Sequence, residues 1–199
     1  MAPSHATLRI APLADPDLVQ SHIGFWHDVY GFNMKSMLTG IYDEALVCTV
    51  PPSAIAAESV AFLNLSLNNV TVQELSFLKE FEVTLKEDVD ALDGWAIWFD
   101  MFFMPSKESV LPPNAVPSDL QKKGIVAFTT GPDGKETHWQ QTILLIDHGK
   151  KNALPLKKGQ TIQGKVEYQK KDANTRSLDI TVHYDAQVGE KGSQKWALQ

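Results

Sequence analysis

The sequence predicts a mainly β protein, an antiparallel barrel or sandwich that carries a short helical arm near its N-terminus. Short segments of alternating apolar and polar residues recur along most of the chain, and turn-forming residues separate them. Helical spacing of apolar residues occurs in one early segment only. A length of 199 residues fits one large domain of this kind.

The arm is predicted from the residues that follow a first strand in residues 1–14. Asp15 can cap a helix, and Pro16 fits its first position, where a missing N–H costs nothing. Apolar residues at spacings of three and four then predict an amphipathic helix over residues 17–29, which Tyr30-Gly31 ends. Residues 15–43 are therefore assigned to the arm.

The remaining residues, 44–199, are assigned to the β domain. Strands are predicted at residues 45–50, 60–67, 81–85, 95–104, 125–130, 136–146, 161–168, 178–184 and 193–198. Residues 95–104 are apolar at odd and even positions alike, which indicates a central strand covered on both faces. Residues 105–124 contain four prolines and little periodicity, which predicts a long loop.

Composition narrows the class of protein. A net charge of −6 disfavours general binding to nucleic acids, and no apolar run reaches the roughly 18–20 residues that a membrane helix needs. Cys48 is the only cysteine, so no intramolecular disulfide forms. We expect a soluble, intracellular protein. His22 and His27 are five residues apart, not the four that place two metal ligands on one helix face, so we expect no metal site.

Two segments concentrate residues that could act on a partner. Phe25 to Met34 holds four aromatic residues in ten, and these belong either to the core of this domain or to a surface that docks elsewhere. The second segment is Thr137 to Thr142, where His138 stands beside Trp139 at the start of a predicted strand. A histidine there can exchange a proton near neutral pH or bind a carboxylate, or it can simply be structural.

Together the two segments resemble the C-terminal half of the type I protein arginine methyltransferases. The matching stretches are Trp26-His27-Asp28-Val29-Tyr30-Gly31-Phe32-Asn33-Met34, Phe128-Thr129-Thr130-Gly131-Pro132 and Thr137-His138-Trp139-Gln140-Gln141-Thr142. They occur in the family's order, and the resemblance covers essentially the whole chain. Asn33 and the ending Trp196-Ala197-Leu198-Gln199 are most similar to the zinc-finger-bearing branch of that family.

The resemblance implies a role for each segment. His138 would be the catalytic-site residue that hydrogen-bonds an acidic residue of a cofactor-binding domain, while Trp139 and Thr137 would line the pocket of the substrate arginine. Phe25, Trp26, Tyr30, Phe32 and Met34 would dock on the cofactor domain of a second subunit and so form a homodimer.

For the complete enzyme, the resemblance implies methyl transfer from S-adenosylmethionine to Arg/Gly-rich proteins in the cytoplasm and also the nucleus. The chain contains no Gly-rich loop that opens a helix and no paired glutamates like those that bind the guanidinium group in this family. We therefore expect the 199 residues alone to bind no cofactor and to be inactive.

Two other classes of protein fit the same sequence pattern. The first is a non-catalytic β-barrel scaffold or regulatory protein that offers its arm to an active partner. The second is a ligand-carrying barrel of the lipocalin kind, which needs an apolar cavity. The bulky residues at 95–104 favour a filled interior instead.

Overall fold

The structure is a computed structural model that describes residues 3–106, 108–149, 153–170, 176–187 and 190–198. Within these ranges the elements are β1 (His5–Leu13), α1 (Pro16–His22), β2 (Leu46–Cys48), β3 (Val60–Ser66), β4 (Phe77–Thr84), β5 (Gly94–Phe103), α2 (Pro117–Gln121), β6 (Val126–Thr129), β7 (Gln141–Leu145), β8 (Thr161–Lys170), β9 (Leu178–Asp185) and β10 (Lys191–Leu198). Of the helices in these ranges, neither is long and apolar enough to cross a membrane.

The strands form two antiparallel sheets, which confirms the predicted mainly β fold class. The first sheet has the order β2-β7-β5-β1-β3, with β6 also paired to β5, and the second has the order β10-β9-β8-β4. Their facing sides share one core, whose fully buried members include Ile10, Trp95, Val166, Ile180 and Trp196. Burial of such side chains is the main stabilising term of the fold, at roughly 1.5–3 kcal/mol each.

β5 organises the part of the first sheet that matters for function. β1 pairs with one edge of β5 along its length. Two strands, β6 and β7, share the other edge. β7 pairs with residues 94–97 and β6 pairs with residues 100–103, so the sheet is split beside Trp98 and Phe99. Residues 130–140, here named the His138 loop, connect β6 to β7 at this split.

The arm begins as predicted but its helix is shorter. Asp15 caps α1 by accepting a hydrogen bond from the Leu18 N–H at 2.9 Å. The predicted helix over residues 17–29 is wrong beyond His22, because a 3-10 turn over Gly24–His27 replaces it. Gly24 is a poor helix former, and its backbone packs so closely on the Gln20 side chain that a Cβ atom would clash there.

Two other sequence predictions are corrected by the structure. β7 begins at Gln141 rather than at residue 136, because residues 138–139 form a turn and Gln140 has a φ of 54°. The long loop over residues 105–124 contains α2, which sequence periodicity missed because five residues are too short to show a helical repeat. Leu120 of α2 is buried against Phe102.

Candidate functional site

The His138 loop is anchored by the buried side chain of Gln141. Its Oε1 accepts a hydrogen bond from the Val50 N–H at 3.0 Å, and its Nε2 donates to the Thr130 carbonyl at 2.6 Å. Gln141 is only 5% exposed, so these bonds satisfy groups that water does not reach. The amide therefore joins the first residue of the loop to the segment that follows β2.

Trp139 sits at the edge of an aromatic platform, which we define as Phe99, Phe103, Phe128 and Trp139. Its ring stacks on Phe128, with centroids 5.8 Å apart and an interplanar angle of 17°, and meets Phe99 edge to face at 5.9 Å. Phe103 extends the platform beyond Phe128, at 6.4 Å. Trp139 nevertheless remains 48% exposed. Its open surface can stack on a planar or cationic group such as a guanidinium.

His138 and Trp139, which are neighbours in the sequence, also have neighbouring rings. The two ring centroids are 3.9 Å apart, and the His138 side chain is exposed, so its ring nitrogens can reach a partner. Thr137 differs, because its Oγ1 atom is buried and makes no hydrogen bond within the described part of the chain. The predicted contact of Thr137 with substrate stays a prediction.

The loop leaves β6 through a tightly packed corner. Gly131 lies so close to Trp98 that an added Cβ atom would stand 2.5 Å from the indole Nε1. Thr130 makes two hydrogen bonds to the Phe99 backbone at the split in the sheet. Its N–H donates to the Phe99 carbonyl at 3.0 Å, and its Oγ1 accepts from the Phe99 N–H at 3.2 Å. The corner therefore determines the direction in which the loop departs.

The aromatic segment of the arm forms a small hairpin. Val29 and Phe32 exchange two backbone hydrogen bonds of 2.9 and 3.1 Å around Tyr30 and Gly31, whose φ angles are 54° and 87°. Positive φ at both central residues defines a type I′ turn. The Asp28 carboxylate also accepts a hydrogen bond from the Gly31 N–H at 2.7 Å. The exposed tip is thus held by its own backbone.

The exposure of the arm decides between the two interpretations of its aromatic residues. Tyr30 is 95% exposed, Phe32 72% and Phe25 48%, so these three are not core residues of this domain. Trp26 and Met34 are half-buried, and the Met34 N–H donates to the Trp26 carbonyl at 3.0 Å. The base of the arm packs on the outer face of the first sheet through Ile23, Leu18 and Val19, in the cluster that includes Trp98.

The described residues do not fit S-adenosylmethionine or a metal ion. Every strand ladder among them is antiparallel, so they contain no strand–helix–strand unit that presents a helix N-terminus to a nucleotide. No group of three or more potential metal ligands occurs in the same ranges.

Four residues at or near the site were given no structural role from the sequence. Gln141 has an anchoring role that becomes visible only with the sheet topology, because Val50 and Thr130 are distant in sequence. Asp100 is 1% exposed, and the sequence carries a signal for it, a single charged residue within the otherwise apolar segment 95–104. Phe99 and Phe128 were assigned to strands without a role in the platform.

Comparison with known proteins identifies the class of protein. The family model of the arginine methyltransferase oligomerization subdomain matches residues 4–190, and the chain belongs to this family. A ribosomal protein arginine N-methyltransferase of Schizosaccharomyces pombe, rmt3, is 32% identical over 198 residues, all of this chain but 34% of that protein. Protein arginine N-methyltransferase 1 of the same organism is 30% identical over 182 residues, 92% of this chain and 47% of that protein.

The chain thus spans about a third to a half of the length of these curated relatives. Solved structures share the fold at lower identity. The Trypanosoma brucei PRMT1 enzyme-prozyme heterotetrameric complex with AdoHcy matches with a TM-score of 0.77 at 23% identity, over 99% of this chain and 57% of that one. Arabidopsis thaliana protein arginine methyltransferase 10 matches with a TM-score of 0.67 at 19% identity, over 100% and 60%.

Proposed function

We propose that the chain is the substrate-side and oligomerization part of an S-adenosylmethionine-dependent protein arginine N-methyltransferase. The observation that carries the proposal is the half-exposed Trp139, stacked on Phe128 and adjoined by the exposed His138. An aromatic wall beside a proton-exchanging group suits a planar, cationic guanidinium. The full enzyme would asymmetrically dimethylate arginines in Arg/Gly-rich proteins, and its cytoplasmic and nuclear location stays a prediction.

A cofactor domain of the same polypeptide would cover the aromatic platform. Phe99 and Phe103 share their face of β5 with the core residues Trp95 and Ile97, yet they are only half-buried. Ser4, at the start of the described chain, hydrogen-bonds to the Phe102 carbonyl beside the platform. A domain that precedes β1 would therefore meet the platform and bring an acidic residue to His138.

The test of the catalytic role uses a polypeptide that includes both domains. We expect His138→Ala to lower kcat for methylation of an Arg/Gly-rich peptide by at least about tenfold, with an unchanged melting temperature. His183→Ala is the matched control, because His183 is exposed on β9, outside the loop, and should leave kcat unaltered. Full activity in the His138→Ala enzyme would overturn the role.

The arm is proposed to form the homodimer, with Tyr30, Phe32 and Phe25 as the contacts to the partner. Tyr30→Asn is a sharp test, because Asn-Gly is the favoured pair for a type I′ turn and keeps the hairpin while removing the ring. We expect dimer affinity to fall by about tenfold in sedimentation experiments. Val110→Asn removes a side chain that is 81% exposed outside the arm and should have no effect. Equal dimerisation of the wild type, Tyr30→Asn and Val110→Asn would exclude the arm as the dimer contact.

A regulatory subunit without activity of its own is the second candidate. It is favoured by the match to an enzyme-prozyme complex, whose two subunit types associate in a heterotetramer. The two candidates separate when the complete native polypeptide is assayed alone. Methyl transfer by that polypeptide supports the enzyme, whereas activity only after addition of a second methyltransferase supports the regulatory subunit.

A further inference from the structure

The short helix α2 lies in the Pro-rich segment 105–124, to which the proposed function gives no role. Its Leu120 side chain is buried with Phe102 of β5 and Ala127 of β6, in a separate apolar cluster on the outer face of the first sheet. Partly buried apolar side chains complete this cluster: Met104, Leu111, Ala115 and Ile125. The helix is therefore packed on the sheet beside β6 and is not a free part of a surface loop.

The chain leaves α2 through a Schellman motif that leads directly into β6. Gly124 has a φ of 77°, and its N–H donates to the Gln121 carbonyl at 2.9 Å. The Ile125 N–H donates to the Leu120 carbonyl at 3.0 Å, and both of these side chains belong to the apolar cluster. Because β6 begins at the next residue, Val126, the helix and the strand are joined in a fixed relative orientation.

The edge of β6 that faces away from β5 is bound by a side chain of α2. Among the described residues, β5 is the only strand that pairs with β6. The Phe102 backbone faces β1, since its carbonyl accepts the Ser4 N–H at 2.9 Å, so the paired residue Ala127 directs its own carbonyl away from β5. The Gln121 Nε2 donates to this carbonyl at 2.7 Å. Gln121 thus takes the place that a neighbouring strand would occupy.

We propose that Gln121 is a positioning residue for the aromatic platform, acting through β6. Ala127 is only 5% exposed, so its carbonyl has little access to water if Gln121 is lost. The next residue, Phe128, carries the ring on which Trp139 stacks at 5.8 Å. A strand of four residues with one strand neighbour has few other bonds that hold this ring in place. The catalytic consequence rests on the proposed function, but the positioning itself does not.

A matched comparison is needed because loss of any such hydrogen bond lowers stability. Gln194 of β10 supplies it, since its Nε2 also donates to backbone carbonyls, those of Tyr42 at 2.9 Å and Leu145 at 3.0 Å. The Leu145 carbonyl is shared with the Trp196 Nε1, which donates to it at 2.9 Å. Gln121→Met and Gln194→Met each remove the amide and keep a side chain of similar length. The two variants should therefore disturb different tryptophans.

Fluorine NMR of the 199-residue chain labelled with 5-fluorotryptophan separates the two effects. Five tryptophans give five signals, and Trp139→Phe and Trp196→Phe assign the two of interest. We expect Gln121→Met to shift or broaden the Trp139 signal and to leave that of Trp196 in place, and Gln194→Met to do the reverse. Gln121 is exposed, so its replacement should leave the chain folded. An unmoved Trp139 signal in Gln121→Met, or an equal change of that signal in both variants, would overturn the inference.

A conservative variant tests the hydrogen bond itself. Gln121→Lys supplies a donor on a longer chain and should return the Trp139 signal towards its wild-type position. Equal displacement in Gln121→Lys and Gln121→Met would overturn the inference. Backbone amide exchange at Phe128 should accelerate roughly twofold to tenfold in Gln121→Met and stay unchanged in Gln194→Met. Equal acceleration in both variants would likewise count against a specific role.

The catalytic consequence is measured in a polypeptide that includes both domains. Gln121→Met should lower kcat by about threefold to tenfold, and Gln121→Lys should recover it, because the platform is displaced in the first variant only. Unchanged kcat in Gln121→Met despite a moved Trp139 signal would overturn the catalytic consequence alone. A moved signal together with a fully active His138→Ala enzyme would contradict the proposed function and leave the positioning intact.

Discussion

The arm and the His138 loop both expose aromatic side chains, but they are held in different ways. The loop is joined to the sheet by side chains, since Gln141 bonds two distant backbone groups and Gly131 packs on Trp98. The tip of the arm is held by its own type I′ turn, and only its base reaches the core, through Ile23. The loop is thus coupled to global stability, whereas the tip of the arm can change locally.

The largest effect is expected for Gln141→Leu, which tests the coupling of the loop. The Val50 N–H and the Thr130 carbonyl would both lose a buried partner, at roughly 1–3 kcal/mol each, so the free energy of unfolding should fall by about 2–6 kcal/mol. Urea denaturation measures it. Gln140→Gly is the control, because Gln140 has a positive φ that glycine adopts freely. A fall below about 0.5 kcal/mol for Gln141→Leu would mean that the loop is not coupled to the sheet.

Gly131→Ala should follow in size. The new methyl group would stand 2.5 Å from Trp98 Nε1 and 3.0 Å from Thr129 Oγ1, and relief of such overpacking costs about 1–3 kcal/mol. We expect a lower urea midpoint. In the chain labelled with 5-fluorotryptophan, the fluorine NMR signal of Trp98, assigned with Trp98→Phe, should also change. Wild-type stability in this variant would show that the residues around Gly131 can move apart at no cost in stability. The loop would then not be held rigidly at this corner.

Gly31→Ala makes the same substitution in the arm and should act differently. No atom lies within 4 Å of the added Cβ, so the penalty is that of a left-handed alanine, roughly 1–2 kcal/mol, and it applies to the turn alone. Because the tip can open without exposing the core, we expect the urea midpoint to stay nearly constant. Backbone amide exchange at Phe32 should accelerate instead. A global loss as large as that of Gly131→Ala would erase the distinction between the two regions.

The smallest effect is a pH dependence at the base of the arm. Asp93 accepts a hydrogen bond from the Asp15 N–H at 2.7 Å, and burial raises its pKa. The folded state therefore binds its proton more tightly than the unfolded state, and stability is lost as the pH rises from about 4 through the raised pKa. Asp93→Asn keeps the hydrogen-bond acceptor for the Asp15 N–H. Urea titrations should therefore show its free energy of unfolding rising relative to that of the wild type over that pH range.

Asp88 supplies a control of opposite sign for this pH dependence. The Lys158 backbone N–H and the Lys157 side chain lower the pKa of its exposed carboxyl. Asp88 contributes to the free energy of unfolding above its unfolded pKa, and this contribution is lost on acidification. The Asp88→Asn variant should therefore become less stable than the wild type as the pH rises. If Asp93→Asn and Asp88→Asn followed the same trend, Asp93 would not be the buried group described here.

The sequence predicted the features that depend on local residue patterns. It did not predict the features that depend on contacts between residues far apart in the chain. Alternation located the strands, and Asp15-Pro16 located the start of α1. The predicted start of β7 was too early. Residues 138–139 form a turn in which the Trp139 ring packs on Phe128 and Phe99, and the strand begins only after it. Asp100 was passed over because its partners, Arg9 and Thr129, are 91 and 29 positions away and only the sheet brings them together.

The split edge of β5 has a consequence for the divergence of this fold. β6 and β7 take their registers from β5 independently, at residues 100–103 and 94–97. Residues inserted or deleted between Gly131 and Gln140 would therefore shift neither register, and longer connections cost little extra entropy. The sheet therefore tolerates connecting segments of different length and composition between β6 and β7, while the strands on either side keep their positions.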